Sequence, residues 1–458
     1  MPEPHSPRTP FLHILIGFAL SGLAVLLLLA GCGLLTARNV IGVGFHPMPV
    51  ASAGLDLMAF VSTKGQVYVW AGTEAELVYT PPTGWAVAQL ALSPDQGRPY
   101  LALTEGPRIP DSEAVRAENV TIVNVRTGAA YRAFPLARGD AVPERYAAPQ
   151  DVYTLQWSAD GTELFLYGKS PLVLSVGQGA AAASVVWDLS AMLSAGGEPR
   201  APLMAPDFSR LAYSVFDPSG DTEEDLWVIE RPASSDNSPP PRRLTEGNLG
   251  GYPVCWLGSR ADGSDPGGEA SCVLIQLGGV STGGGTPTGL AVVDTRSGAL
   301  DIWYPTGNLV HRPVLVAAER GRALVSLFHS ITGRDGRLFW RPLDGRSPEV
   351  IVTALEDRMM GRVAVGLGDG SAVVLARQLG EGGEGPWEYW HVGSGATAEK
   401  IGTAPAGAQA YLLEGSVSGR ALIVTVSTNA GVSQAKLWRV LVDAGKVEQI
   451  ELRTESGR

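Results

Sequence analysis

The chain has 458 residues, too many for one ordinary compact domain unless that domain is built from repeats. A 45% hydrophobic and 18% charged composition supplies a sizeable core and excludes global disorder. Gly 57 and Pro 33 point to many turns and argue against a helical bundle, and a net charge of −11 argues against a nucleic-acid or anionic-lipid partner surface.

Residues 11–31 read FLHILIGFALSGLAVLLLLAG, a strongly apolar run of membrane-spanning length behind a short segment carrying Glu3, His5 and Arg8. About 20 apolar residues cross a bilayer, so an uncleaved spanning helix fits the run by length. It ends in Leu29-Ala30-Gly31-Cys32, and there the sequence resembles the lipobox of bacterial lipoprotein signals. The resemblance implies a signal peptide over 1–31, acylation of Cys32 as the first mature residue, a short tether over 32–39 and a folded region over 40–458. It also implies a lipid-anchored, extracytoplasmic protein of the cell membrane or outer envelope. Several acyl chains on one residue satisfy the two-signal requirement for stable anchoring. In that oxidising compartment Cys255 and Cys272, on apolar segments joined by SRADGSDPGGEA, are expected to form a disulfide across a β-hairpin with a long loop. A metal pair or a nucleophilic thiol would need a partner histidine or further thiolates, and none is near in sequence.

After Cys32 short alternating or apolar runs recur between Gly, Pro, Asp and Ser, the pattern of strands and turns. One repeated unit is a strand, a tight turn and a second strand: LALSPDQGRPYLAL from Leu90, LQWSADGTELFLY from Leu155 and LMAPDFSRLAYSV from Leu203. Weaker copies start at Leu315, Val363 and Tyr411, and the Cys255 to Cys272 hairpin holds the same place in its own unit. A third strand follows each hairpin, often with an aromatic residue, as in QVYVW ending at Trp70, SVVWDL from Ser184, LWVIE from Leu226 and RLFWRPLDG from Arg337. A fourth apolar segment then appears (ELVYT from Glu76, AYRAF from Ala130, LDIWY from Leu300), except after Ser184. The spacing predicts one all-β propeller of about eight four-stranded antiparallel blades, or seven if the weak first unit over 39–82 is not one. Closure is expected because a lone blade exposes two apolar faces and two edges. Trp70, Trp187, Trp227, Trp340, Trp390 and Trp438 are expected to fill space between blades, with carbohydrate stacking the lesser alternative.

At SPDQGRPYLAL from Ser93, APDFSRLAYSV from Ala205 and RRLTEG from Arg242 the sequence resembles the WD-like repeats of TolB-type periplasmic propellers. The rhythm runs through nearly the whole mature chain, but few blades show the motif clearly, and the chain has a single Trp-Asp dipeptide, Trp187-Asp188. The resemblance implies a binding or scaffolding role and fixes no ligand.

Catalytic motifs are weak. Gly279-Val280-Ser281-Thr282-Gly283 has the spacing of a hydrolase elbow, but GGTPTG follows where a helix would have to begin. His46, His311, His329 and His391 form no zinc motif, although His311 and His329 could meet across one hairpin. The acidic loop DPSGDTEED offers Asp217, Asp221 and Asp225 as calcium candidates without EF-hand spacing, and DGSDPGGE from Asp262 is a weaker one. No other cofactor is indicated. The expected function is recognition of an envelope protein partner or small ligand by loops on a rigid scaffold. The competing readings are a sugar-acting hydrolase or lyase with its site at the central mouth, and a purely structural envelope component.

Overall fold

The computed structural model describes the chain between Val43 and Leu452. The residues left out are connections between strands, the longest being 135–151, 258–271 and 278–288, together with 1–42, 451 and 453–458. The signal 1–31 and the tether 32–39 therefore lie outside the described residues, and among those described no helix is long and apolar enough to cross a membrane.

Short β-rich runs punctuated by Gly, Asp and Pro form strands throughout. A two-residue strand, β1 (Val43–Gly44), comes first. Blade 1 contains β2 (Val50–Ala51), β3 (Met58–Val61), β4 (Val67–Trp70) and β5 (Ala75–Tyr79). Blade 2 contains β6 (Trp85–Leu92), β7 (Tyr100–Pro107), β8 (Asn119–Asn124) and β9 (Ala130–Phe134). Blade 3 follows with β10 (Val152–Trp157), β11 (Glu163–Gly168), β12 (Leu172–Val176) and β13 (Ala183–Asp188). In blade 4 the strands are β14 (Glu198–Met204), β15 (Arg210–Phe216), β16 (Asp225–Glu230) and β17 (Arg242–Arg243). Blade 5 has β18 (Gly251–Leu257), β19 (Cys272–Leu277), β20 (Gly289–Asp294) and β21 (Leu300–Tyr304). Blade 6 has β22 (His311–Glu319), β23 (Arg322–His329), β24 (Arg334–Pro342) and β25 (Val350–Ile351). Blade 7 is built from β26 (Arg358–Gly366), β27 (Ala372–Gly380), β29 (Glu388–Val392) and β30 (Ala398–Thr403), with a short extra strand β28 (Gly383–Glu384) on β27. Blade 8 consists of β31 (Gln409–Ser416), β32 (Arg420–Asn429), β33 (Val432–Leu441) and β34 (Lys446–Ile450). The expected eight-bladed, all-β architecture is present.

Alternation along each strand explains why the blades stack. On β7, Leu101 and Leu103 pack against blade 1, while Tyr100 and Ala102 pack against blade 3. On β27, Val374 and Ala376 turn to blade 6 and Val373 and Leu375 to blade 8. Both faces of a blade are thus buried, which is why these strands read as nearly continuous apolar runs. Eight apolar clusters occupy the eight junctions between consecutive blades, the last joining blade 8 to blade 1. All six expected tryptophans sit in or against these clusters.

The outer strands break the alternation in a regular way. In four of them the register skips one residue, and that residue is buried: Val78, Ala133, Trp303 and Ile401. A β-bulge turns one side chain against its neighbours, so in these four outer strands the skipped residue is an apolar plug.

Two features differ from the sequence expectation. SVVWDL is the fourth strand of blade 3, not the third; the third is β12, Leu172–Val176, separated from β11 by only three residues. Its sequence, LVLSV with Ser175 as its one polar residue, and its short connection hide the turn. Secondly, the opening strand β1 belongs to blade 8: Val43 pairs with Ala435 and Gly44 with Gln434 on β33, beside β34. Leu437 and Leu452 pack with Met58, Phe60 and Trp70. Both ends of the described chain therefore close one seam between blades 8 and 1.

Candidate functional site: the axial mouth and the two faces

The first strand of every blade pairs on one side only, with the second strand. At six of the eight junctions the first strands of neighbouring blades lie against one another, and β2 touches both β31 and β6, so these strands encircle the axis. Among the described residues, each leaves one edge without a pairing strand. Seven of the eight also carry a break in register with the second strand: between Val87 and Gln89, Val152 and Thr154, Arg200 and Leu203, Pro253 and Cys255, Leu315 and Ala317, Met360 and Ala364, and Leu412 and Glu414. Such breaks bend a strand and re-aim its side chains. In blade 4 the break holds Ala201, exposed and at φ 46°, just before Pro202. Non-glycine residues rarely adopt this backbone. Neighbouring side chains fix it: Ser214 Oγ donates to Arg200 O at 3.2 Å, Trp256 Nε1 to Leu203 O at 2.9 Å and Gln156 Nε2 to Met204 O at 3.3 Å. Trp157 Nε1 likewise donates to Ala91 O of blade 2 at 2.9 Å. Side chains of neighbouring strands thus add hydrogen bonds to carbonyls of the first strands.

Antiparallel pairing places the connections on two faces. The face bearing the first-to-second and third-to-fourth turns is held by short polar side chains. Asp160 Oδ1 accepts from Ser158 Oγ at 2.7 Å and Thr162 N at 3.1 Å; Asp369 Oδ1 accepts from Ser371 N at 2.8 Å and Oγ at 2.6 Å. The Ser158 hydroxyl holds the Asp160 carboxyl below its ordinary value. Burial works against ionisation of Asp369, but the Ser371 donors outweigh it and keep that carboxyl low as well. Asn124 and Asp294 close two alike turns, each ending in a glycine at φ 68° and 75° respectively, Gly128 and Gly298, where a Cβ would be strained. On this face arginines cross between blades. Arg231 forms a bidentate pair with Glu163 at 2.6 and 2.7 Å, and Arg322, over the Trp340 ring at 4.6 Å, donates to Ser394 O at 2.8 Å and to Gly370 O.

The opposite face carries two charged clusters near the ends of strands. Glu105, 2% exposed, accepts from Tyr79 Oη at 2.9 Å across the junction of blades 1 and 2 and from Thr121 Oγ1 at 2.8 Å. Burial, reinforced by Glu105, raises the Tyr79 hydroxyl far above its ordinary value, so it stays a donor. In blade 7, Glu388 takes Arg358 at 2.6 Å and Lys400 at 2.5 Å, with Arg358 over the Trp390 ring. Burial opposes its ionisation, and the two cations outweigh burial to hold its carboxyl low. The arrangement can hold a rigid surface; it positions no nucleophile beside a base among the described residues.

The sequence-derived candidates fare as follows. Cys255 and Cys272 are not joined in a disulfide. Cys255 lies opposite Leu274 and Cys272 opposite Leu257, so the two are diagonal neighbours, a relation typically about 7–8 Å apart and beyond the usual disulfide span. Asp217 and Asp221 lie outside the described residues, as do Cys32, His46, the 262–269 loop and the Gly279 to Gly283 string. Asp225 is described and is committed to Arg243 and Thr245. No group of metal-ligand type occurs among the described residues. The backbone register sets His311 directly opposite His329, as the hairpin reading expected. The inner register breaks gave no sequence signal because a bulge leaves the apolar run of its strand unbroken, and the Tyr79–Glu105–Thr121 cluster gave none because it joins residues of different strands and blades.

The fold so described is a closed eight-bladed β-propeller. No protein-family model matches the chain, and no curated protein sequence matches it. Solved structures similar to it include a prolyl endopeptidase at 12% identity, covering 88% of this chain and 54% of that one with a TM-score of 0.48. The WD40 domain of SCAP from fission yeast is similar at 12% identity, with 89% and 97% covered and a TM-score of 0.46. A eukaryotic initiation factor matches at 12% identity over 89% and 88%, with a TM-score of 0.48. The chain spans about half the length of the endopeptidase.

Proposed function

We propose that this is a lipid-anchored envelope protein whose propeller recognises a partner protein or ligand at the axial mouth, without covalent chemistry. The observation that carries the reading is the ring of inner strands, each with a free edge toward the axis and seven with a register break that re-aims side chains there. A rigid, closed scaffold with preformed, partly self-satisfied backbone suits recognition, because little ordering entropy is lost on binding. The Leu29-Ala30-Gly31-Cys32 sequence supports the anchor.

The test is a mild-detergent purification of the tagged protein from its own membranes beside Cys32→Ser and Ala88→Arg forms. Cys32→Ser should leave the membrane fraction and keep a stoichiometric partner. Ala88→Arg, at the inner break of blade 2, should stay folded and lose that partner. Membrane retention of Cys32→Ser would sink the anchor, and an unaffected complex with Ala88→Arg would sink the axial site.

A further inference from the structure

The way the ring is closed determines which side of it meets the membrane. The first described residues, Val43 and Gly44, pair on the outer edge of β33, at the circumference of blade 8 and on neither axial face. The last described residue, Leu452, packs into the same seam against Met58, Phe60 and Trp70 of blade 1. Only eleven residues separate Val43 from Cys32, a contour of at most about 40 Å even if fully extended. In an eight-membered ring the junction of blades 4 and 5 lies directly across from this seam, four blades away in either direction. Exposed large apolar side chains occur on several outer strands, among them Leu77 at 50% on β5 of blade 1 beside the seam and Ile302 at 45% on β21 of blade 5, so the point of attachment and not apolar surface sets this sector apart.

We propose that the propeller stands edge-on to the bilayer, with the outer rim of blades 8 and 1 against the lipid surface and the axis roughly parallel to it. This rests on the acyl-anchor reading above. The short chain from Cys32 holds this rim close. Both axial mouths then stay open to soluble partners, and blades 4 and 5 are the part of the ring farthest from the membrane. A ring lying flat would instead close one mouth against the bilayer and set all outer strands at similar height.

The experiment uses the full acylated protein, reconstituted into phosphatidylethanolamine–phosphatidylglycerol vesicles doped with a nitroxide headgroup lipid. A fluorophore is placed at Lys446→Cys on β34, where the side chain is 61% exposed, or at Ile302→Cys on β21 of blade 5. Labelling is done on the native fold, in which Cys272 is buried and burial pushes the Cys255 thiol up to about 12. Edge-on seating gives quenching several-fold stronger at position 446 than at 302. Equal quenching, the pattern of a flat ring, or stronger quenching at 302 overturns the orientation while leaving the anchor standing. Failure of the acylated protein to stay on vesicles, or retention of Cys32→Ser to the same extent, removes the anchor reading and this proposal with it.

Discussion

At the scale of single residues, the polar groups inside the ring fall into two kinds with opposite mutational signs. Tyr79 donates to a carboxylate that is almost wholly removed from water, so Tyr79→Phe leaves Glu105 short of a donor. Orphaning such a group costs about 1–3 kcal/mol, and the denaturant midpoint should fall accordingly. Tyr213 is also fully buried, but its hydroxyl has no hydrogen-bond partner among the described residues, and burial raises it far above its ordinary value. Tyr213→Phe removes a desolvated hydroxyl and keeps the ring, so it should be neutral or stabilise by up to about 1–2 kcal/mol. A destabilising Tyr213→Phe would show that the hydroxyl is satisfied after all. Thiol chemistry follows the same logic. With its thiol pushed up to about 12 by burial, Cys255 is protonated at neutral pH and should react slowly with a thiol reagent until the protein unfolds. Rapid labelling at pH 7 would contradict this.

At the scale of strands and blades, the rhythm of apolar runs and Gly or Asp turns was enough to reveal the propeller, because each hairpin is local and each turn carries its own chemistry. AYRAF and LDIWY coincide with β9 and β21 for that reason. The strand β12 was hidden because LVLSV has no polar alternation: both its faces are buried between blades 2 and 4. The two-residue strands β1 and β2 carry too few residues for any period to register. Site geometry was legible only where it is local, as at the Asp160 and Asp207 turns. The clusters that cross blades depend on which strands the ring brings together, and no spacing encodes that. Glu388 shows the energetic side of such a cluster. Its folded carboxyl titrates below the unfolded value near 4.5, so its ion pairs stabilise blade 7 above that pH and are lost as pH falls through and below it. Stability measured from pH 6 down to pH 3 should therefore decline less steeply in Glu388→Gln than in the parent, which also starts higher at pH 6. Parallel curves would mean that other carboxyls set the acid limb.

At the scale of the whole molecule, the eight junctions are alike in packing but not in connectivity. Seven join blades that the chain itself links in sequence. The eighth, between blades 8 and 1, is linked in sequence only through the two-residue β1, and relies on the β1–β33 pairing and on the cluster around Phe60, Trp70 and Leu437. When an ordinary junction loosens, the covalent connection keeps the blades close, and re-closing costs little loop entropy. When the seam loosens, its two sides are separated by nearly the entire chain. The seam should therefore be where the ring first opens in partial unfolding, with the strands beside it exchanging amide hydrogens through an opening smaller than global unfolding. Val43→Pro removes the N–H that β1 can offer β33 and weakens only this junction. It should accelerate exchange in β3, β4 and β34 together, while β15 and β19, whose cores lie at the far junction, keep the exchange rates of the parent protein. Acceleration spread evenly over all eight blades would mean that the ring opens as one unit, and the seam would then be no weaker than the seven junctions the chain spans.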